Sequence, residues 1–147
     1  MIILLAFFYA LFFTNFAGHE HRDRMVRHRE LKIMEDLNLT DQKNAIVREA
    51  ETFLKREFGF HPESVSVMME NAMILIRVEK FLCSAEQKIG VEKQNANLLH
   101  QLYAKIFDTV KGPFVDRINQ ITERKVVSSQ IGINFKTKNF LIKFFFS

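Results

Sequence analysis

Few residues in this chain could do nucleophilic chemistry. Cys83 is its single cysteine, and a thiol becomes a useful nucleophile when a neighbouring histidine favours the thiolate form. His61 or His100 could do this if the fold placed one of them beside the sulfur. Cys83 follows the apolar pair Phe81-Leu82, however, and this context favours a buried small residue or the first position of a helix.

The sequence supports acid–base catalysis and metal binding no better than it supports nucleophilic chemistry. Three carboxylates are spread along one predicted helix: Asp108, Asp116 and Glu123. This spacing is typical of a solvated face. His19-x-His21, with His28 nearby, could touch a metal ion, but no carboxylate or cysteine stands at ligand spacing. The sequence has no glycine-rich phosphate loop, HExxH motif or serine-centred nucleophile elbow. We therefore predict a protein that is not an enzyme and has no cofactor or metal.

The charge is nearly balanced in the body of the chain. The whole sequence carries +4 at pH 7, and residues 34–147 hold 16 Lys+Arg against 14 Asp+Glu, which leaves +2. Nucleic-acid-binding proteins usually concentrate positive charge on one face, so we expect no nucleic-acid partner. One cysteine excludes an internal disulfide and fits a reducing compartment.

A helix–strand–strand unit is predicted to occur twice. In the first unit Thr40 or Asp41 caps a helix, whose buried stripe is Ile46, Ala50, Phe53, Leu54 and Phe58. Gly59 in a left-handed conformation and Pro62 then end this helix. Alternating residues predict strands over 64–69 and 73–80.

The second unit begins with a longer helical run over 84–122. Ser84 and Gln87 read as a capping box, and breaks are expected at Gly90 and at Gly112-Pro113. The apolar face of the main helix is predicted to be Leu99, Leu102, Tyr103, Ile106 and Val110. Strands follow over 126–134 and 140–146.

These elements predict an α+β fold, in which two αββ units form one four-stranded, largely antiparallel sheet packed against helices. Val127, Ile131 and Ile133 are expected on one face of their strand. The opposite face of the sheet keeps apolar residues: Met68, Leu75, Leu141 and Phe145. Such a face is a candidate for dimerisation or docking, unless a helix or the N-terminal segment covers it.

Residues 1–33 form a separate hydrophobic and basic segment, and residues 34–147 form the α+β domain. Ile2 to Ala17 carries no charge but is slightly short for a membrane span, and a basic cluster follows at 22–32. The segment is interpreted as a single anchor with the body on the cytoplasmic side, as an extension that is not native to the domain, or as a cleaved signal peptide.

Several short motifs, taken in order, resemble the MpsC-like family, named for a subunit of a Na+-translocating, membrane-potential-generating system. They occur in the segments 58–65, 74–78, 81–86, 126–127 and 137–142, and the resemblance extends from about Ala45 to Phe146. Four residues depart from the family pattern. Phe60-His61 replaces a basic residue and a glycine, Cys83 replaces a threonine, and Asn134 replaces an acidic residue.

The resemblance implies an accessory or regulatory component of a bacterial membrane system for cation movement or inorganic-carbon uptake, with membrane subunits as partners. A chain of this size cannot itself build an ion path. Candidate contact residues are the turn Gly59, His61 and Pro62 and the second sheet face, through which a homodimer could also form. A small-molecule-binding regulatory module is the alternative, and a nucleic-acid-associated protein is a third hypothesis.

Overall fold

The computed structural model describes the backbone of residues 2–147 and the side chains of residues 21–147. The chain divides into two compact units, Met1–Thr40 and Asp41–Ser147. Nine elements follow one another: α1 (Ile2–Phe53), a π-helical turn (Leu54–Phe58), β1 (Ser64–Met69), β2 (Met73–Glu79), α2 (Ser84–Ile89), α3 (Lys93–Val110), α4 (Gly112–Thr122), β3 (Val126–Asn134) and β4 (Asn139–Phe146).

The predicted anchor, Ile2 to Ala17, lies outside the residues whose side chains are described, so it stays a prediction. Within the part of the chain that the structure does describe, no helix combines the length and apolar character that a bilayer span requires.

The predicted cap at Thr40 or Asp41 is wrong, because α1 runs through both positions without a break. The Thr40 hydroxyl donates to the carbonyl oxygen of Asp36, one turn earlier, at 2.9 Å. A hydroxyl bonded in this way belongs to a helix interior. The end of the helix is as predicted, since Gly59 has φ +69°, but the π-helical turn before it was not foreseen.

The second helical run breaks close to where expected, after Ile89 and at Lys111, immediately before Gly112-Pro113. The predicted capping box is shifted by one residue. Cys83, not Ser84, is the N-cap of α2, and its backbone N–H donates to the Glu86 carboxylate at 3.0 Å. Gln87 donates instead to the carbonyl of Leu82. The competition between two adjacent box patterns was therefore decided by the stronger, charged acceptor.

All three strand pairings are antiparallel, in the order β1-β2-β4-β3. Each hairpin joins neighbouring strands, and β2 pairs with β4 to unite the two hairpins in one sheet. The predicted α+β fold with a single four-stranded sheet is therefore confirmed.

The core lies between the inner face of the sheet and the helices of residues 41–147, and aromatic rings fill much of it. Phe53 stacks on Phe114 with their centroids 4.5 Å apart, and Phe81 stacks on Phe140 at the same distance. Fully buried aliphatic residues complete the layer: Ile46, Ile74, Ile76, Val78, Ile118 and Ile142. The ring of Phe114 in turn meets Phe144 of β4 edge-on, with their centroids 5.4 Å apart, so aromatic contacts connect the helices to the sheet.

Two positions of the predicted core are wrong. Val127 is 56% exposed because a β-bulge between Val126 and Ser128 inserts an extra residue and turns Val126 to the core. Leu102 is 55% exposed, since the stripe of α3 that faces the core passes through Leu99, Tyr103 and Phe107.

Candidate functional site

The outer face of the sheet, turned away from the core, carries all four apolar residues predicted to form a contact surface. The strand register places Met68 opposite Leu75, Phe145 opposite Met73, and Leu141 opposite Arg77. Met68 is exposed and the side chains of Leu75, Leu141 and Phe145 are half-buried. The structure therefore brings these four residues together on neighbouring strands.

Two cations interrupt this outer sheet face. Lys143 lies between Leu75 and Gln130 in one row across the strands, and Arg77 lies beside Leu141 in the next. The Arg77 guanidinium reaches Asn139, whose amide oxygen, in the orientation that satisfies both groups, accepts from Nη2 at 3.0 Å. Arg77 Nε also lies 3.7 Å from the Glu79 carboxylate on the same face, whereas Lys143 has no ion pair among the described residues. With Lys143 the face is a mixed apolar and cationic surface, which fits a partner with aliphatic and acidic groups.

The predicted turn residues lie apart from the apolar part of this face. Gly59 and His61 are exposed and Pro62 is half-buried. The turn leads into Ser64, which pairs with Glu79, whereas Met68 lies four residues along the strand, about 13 Å away. The turn and the apolar patch therefore do not form one compact site.

The cysteine–histidine pair considered from the sequence does not form. Cys83 is exposed at the start of α2, so its expected burial is wrong, although its place at a helix entry is confirmed. Nε2 of His100 lies 3.3 Å from the carbonyl oxygen of Ile131, and His61 is exposed on its turn. Neither ring is hydrogen-bonded to the sulfur in the described part of the chain.

A hydrogen-bonded chain links the start of α2 to α3. The buried Tyr103 hydroxyl donates to one oxygen of Glu86, and the other oxygen accepts from the Cys83 backbone. Burial, followed by the hydrogen bond to Glu86, raises the pKa of Tyr103 well above its usual range. The phenol thus remains a donor throughout the physiological range, and the chain holds two helices together.

A half-open groove of about 310 Å³ lies between α3 and the edge strand β3. It is lined by His100, Ala104, Phe107, Asp108, Ser129, Gln130 and Ile131. At its end Lys111 Nζ donates to Asp108 and to Ser129, both at 3.0 Å. The volume is at the lower limit of small-molecule sites.

The expected solvated carboxylates, Asp108, Asp116 and Glu123, are all exposed. His21 and His28 are exposed as well, and the side chain of His19 lies outside the described residues. Among residues 21–147, no three His, Cys, Asp or Glu side chains are grouped closely enough to hold a metal ion.

Two features of the structure were not predicted from the sequence. The groove arises from residues about thirty positions apart, which no local pattern connects. The other is a set of exposed aliphatic side chains around the α2–α3 connection, including Val91 at 85% exposure. The Gly90 break was visible in the sequence, but the exposure of its neighbours depends on how α2 and α3 pack.

These observations define a small α+β domain with an aromatic core and a mixed apolar and cationic outer sheet face. Residues 40–147 match the family model described as Na+-translocating membrane potential-generating system (MpsC), and the chain belongs to this family. The family name connects it with a membrane system that moves Na+. No curated protein and no solved structure gives a significant match.

Proposed function

We propose that this protein is a non-enzymatic accessory or regulatory component of a membrane system linked to cation translocation, membrane potential or inorganic-carbon uptake. It acts at the cytoplasmic face of the membrane, where its outer sheet face binds a membrane subunit of that system. The N-terminal segment serves as a single anchor in this proposal.

The observation that carries the proposal is the outer sheet face. Leu75, Leu141 and Phe145 project from adjacent central strands, and Met68 extends the same surface to the edge. Exposed apolar patches on a regular element mark contact surfaces. The neighbouring Lys143 adds a preference for acidic residues on the partner, since Arg77 is paired with Glu79 on the same face.

Site-specific photocrosslinking in cells tests the docking surface. A photoreactive amino acid at Leu75 is expected to capture an integral membrane protein, identified by mass spectrometry. The same group at Thr109, exposed on α3, is the matched control and should not capture it. Capture from both positions, or from neither, would contradict docking through this face.

Charge reversal gives a second test of the same surface. Lys143→Glu is expected to abolish the crosslink because its carboxylate, opposite Leu75 in the same row, repels the acidic groups of the partner. If the variant instead converts a homodimer to a monomer in light scattering, the surface binds a second copy of this chain and the membrane-subunit proposal fails.

A small-molecule-binding regulatory module is the second candidate function, and the groove between α3 and β3 favours it. His100, Asp108 and Ser129 provide polar contacts there, and Phe107 provides an apolar wall. A thermal-shift screen with small carboxylates and nucleotides should identify a stabilising compound whose effect is lost in Ala104→Phe, which fills the groove. Unchanged stabilisation in that variant would exclude the groove as the site.

A further inference from the structure

Exposed aliphatic side chains concentrate at one corner of the molecule, where α2 meets α3. Six large hydrophobic residues are exposed in the unit Asp41–Ser147, and four of them lie between positions 89 and 102. They are Ile89 (46% exposed), Val91 (85%), Leu98 (60%) and Leu102 (55%). Single exposed hydrophobic residues are ordinary, but here Leu98 and Leu102 share one face of α3, one turn apart. Ile89 and Val91 precede the start of that helix, so the exposed aliphatic surface of the unit is concentrated in this stretch.

Lysines surround this α2–α3 corner. Lys88, Lys93 and Lys105 are exposed in the same stretch, in which Glu92 is the one acidic residue, so the net charge of 88–105 is 3 − 1 = +2. Glu92 accepts a hydrogen bond from Asn95. None of the three lysines forms an ion pair with a residue that the structure describes.

A fourth lysine comes from the β3–β4 turn. The ring of Phe135 lies against Gly90, so that a Cβ at position 90 would clash with Cδ1 of that ring. The next residue, Lys136, is exposed and therefore stands beside the corner. Cations from two separate parts of the chain thus flank one aliphatic tip.

The chemistry of the corner distinguishes between classes of partner. Protein contact surfaces are dominated by Trp, Tyr and Arg, but the stretch 88–105 has no Trp or Arg and its tyrosine, Tyr103, is buried. Nucleic acids would be bound by cations and stacking aromatic rings, not by Val91. Aliphatic side chains ringed by lysines suit the boundary between the headgroups and acyl chains of an anionic bilayer.

We propose that the α2–α3 corner, Lys88–Leu102 with Lys105 and Lys136, binds the surface of an anionic lipid bilayer. Ile89 and Val91 enter the headgroup region, and the lysines contact the lipid phosphates. This contact uses residues neither of the outer sheet face nor of the N-terminal segment, so it orients the domain on a membrane independently of both.

Tryptophan reporters test this directly, because the chain contains no Trp. Val91→Trp and, as the matched control, Val127→Trp each place one reporter at an exposed valine of the full chain. Both variants are mixed with phosphatidylcholine vesicles that carry brominated acyl chains, with and without phosphatidylglycerol. Bromine quenches a tryptophan only when the ring enters the bilayer.

With phosphatidylglycerol vesicles, the emission of the Val91→Trp chain is expected to shift to the blue and to be quenched. The quenching should be at least threefold stronger than that of the Val127→Trp chain. Because the comparison is between positions, it holds even if the N-terminal segment alone keeps the chain on the vesicle. Equal quenching at both positions, or none at 91, overturns the proposal.

The lysines are tested in the Val91→Trp chain. Lys88→Gln with Lys93→Gln should raise the phosphatidylglycerol content needed for half-maximal quenching, since each lysine contributes about fivefold to lipid affinity. Lys125 is exposed on another part of the chain, so Lys125→Gln should leave this phosphatidylglycerol content unchanged. The alternative outcome is that the tryptophan emission shifts to the blue without vesicles while light scattering shows dimerisation. That result would assign the corner to a protein contact and would also overturn the proposal.

Discussion

The ring of Phe135 lies so close to Gly90 that a Cβ there would clash with Cδ1 and lie 2.8 Å from Cγ. Gly90 has φ −69°, a conformation open to any residue, so the glycine is needed for space and not for backbone freedom. The contact joins the turn between β3 and β4 to the connection between α2 and α3.

Gly90→Ala is expected to lower the free energy of unfolding by about 1–3 kcal/mol, because the ring or the helix ends must move to admit a methyl group. Urea unfolding followed by circular dichroism measures the change. Gly132→Ala is the control, since a Cβ there would meet the Leu141 side chain at an ordinary 4.0 Å. In a Phe135→Ala background Gly90→Ala should cost little, and an undiminished cost would contradict the steric explanation.

Gly90 illustrates how far the sequence predicts the fold. Its place between two helical patterns predicted the break correctly, because local periodicity and glycine propensity are carried by neighbouring residues. Its contact with Phe135 depends on the packing of a hairpin far along the chain, and no local pattern holds that information. The same limit applies to the groove between α3 and β3.

Tyr103 is expected to make stability fall at alkaline pH. In the folded chain, burial and the hydrogen bond to Glu86 raise the pKa of its phenol, whereas in the unfolded chain the phenol ionises near pH 10. A raised pKa stabilises the fold below the unfolded value, and this contribution is lost as pH rises above about 10. The unfolded state then releases a proton that the folded state retains.

Tyr103→Phe removes this ionisable group, so its free energy of unfolding should fall less between about pH 9 and about pH 11 than that of the native chain. Near neutral pH it should cost about 1 kcal/mol, because the hydrogen bond to Glu86 is lost. Urea unfolding over this pH range, with the native chain in parallel, measures both effects. Identical slopes for the two proteins would show that Tyr103 does not carry the dependence.

Substitutions at Cys83 and at Ser84 are expected to affect stability differently, because Cys83 and not Ser84 is the N-cap of α2. Because Cys83 is the N-cap and oxygen accepts hydrogen bonds better than sulfur, Cys83→Ser should raise the free energy of unfolding by up to about 1 kcal/mol. Ser84→Ala should change it by less than about 0.5 kcal/mol, since Ser84 is an exposed residue in the first turn. Chemical denaturation measures both changes in the free energy of unfolding. A larger decrease for Ser84→Ala would support the capping box at Ser84 that was predicted from the sequence.

The outer face of the sheet was predicted more successfully than the caps. The alternation of β2 and β4 placed Leu75, Leu141 and Phe145 on one face because side chains in regular strands alternate with period two. In β3 the same rule failed at Val127, since a bulge adds a residue and reverses the alternation. The bulge is a feature of pairing with β4, so the sequence of β3 alone does not reveal it.

Val126 and Val127 therefore form a matched pair for testing the bulge. Val126 packs against the core, whereas Val127 is 56% exposed. Val126→Ala should lower the free energy of unfolding by about 1 kcal/mol, and Val127→Ala should stay within about 0.5 kcal/mol. Both variants remove the same two methyl groups from adjacent positions of one strand, so the change in β propensity is similar in each. The difference between their free energies of unfolding in urea therefore reports burial alone. The reverse order would mean that β3 follows the unbulged register, with Val127 facing the helices.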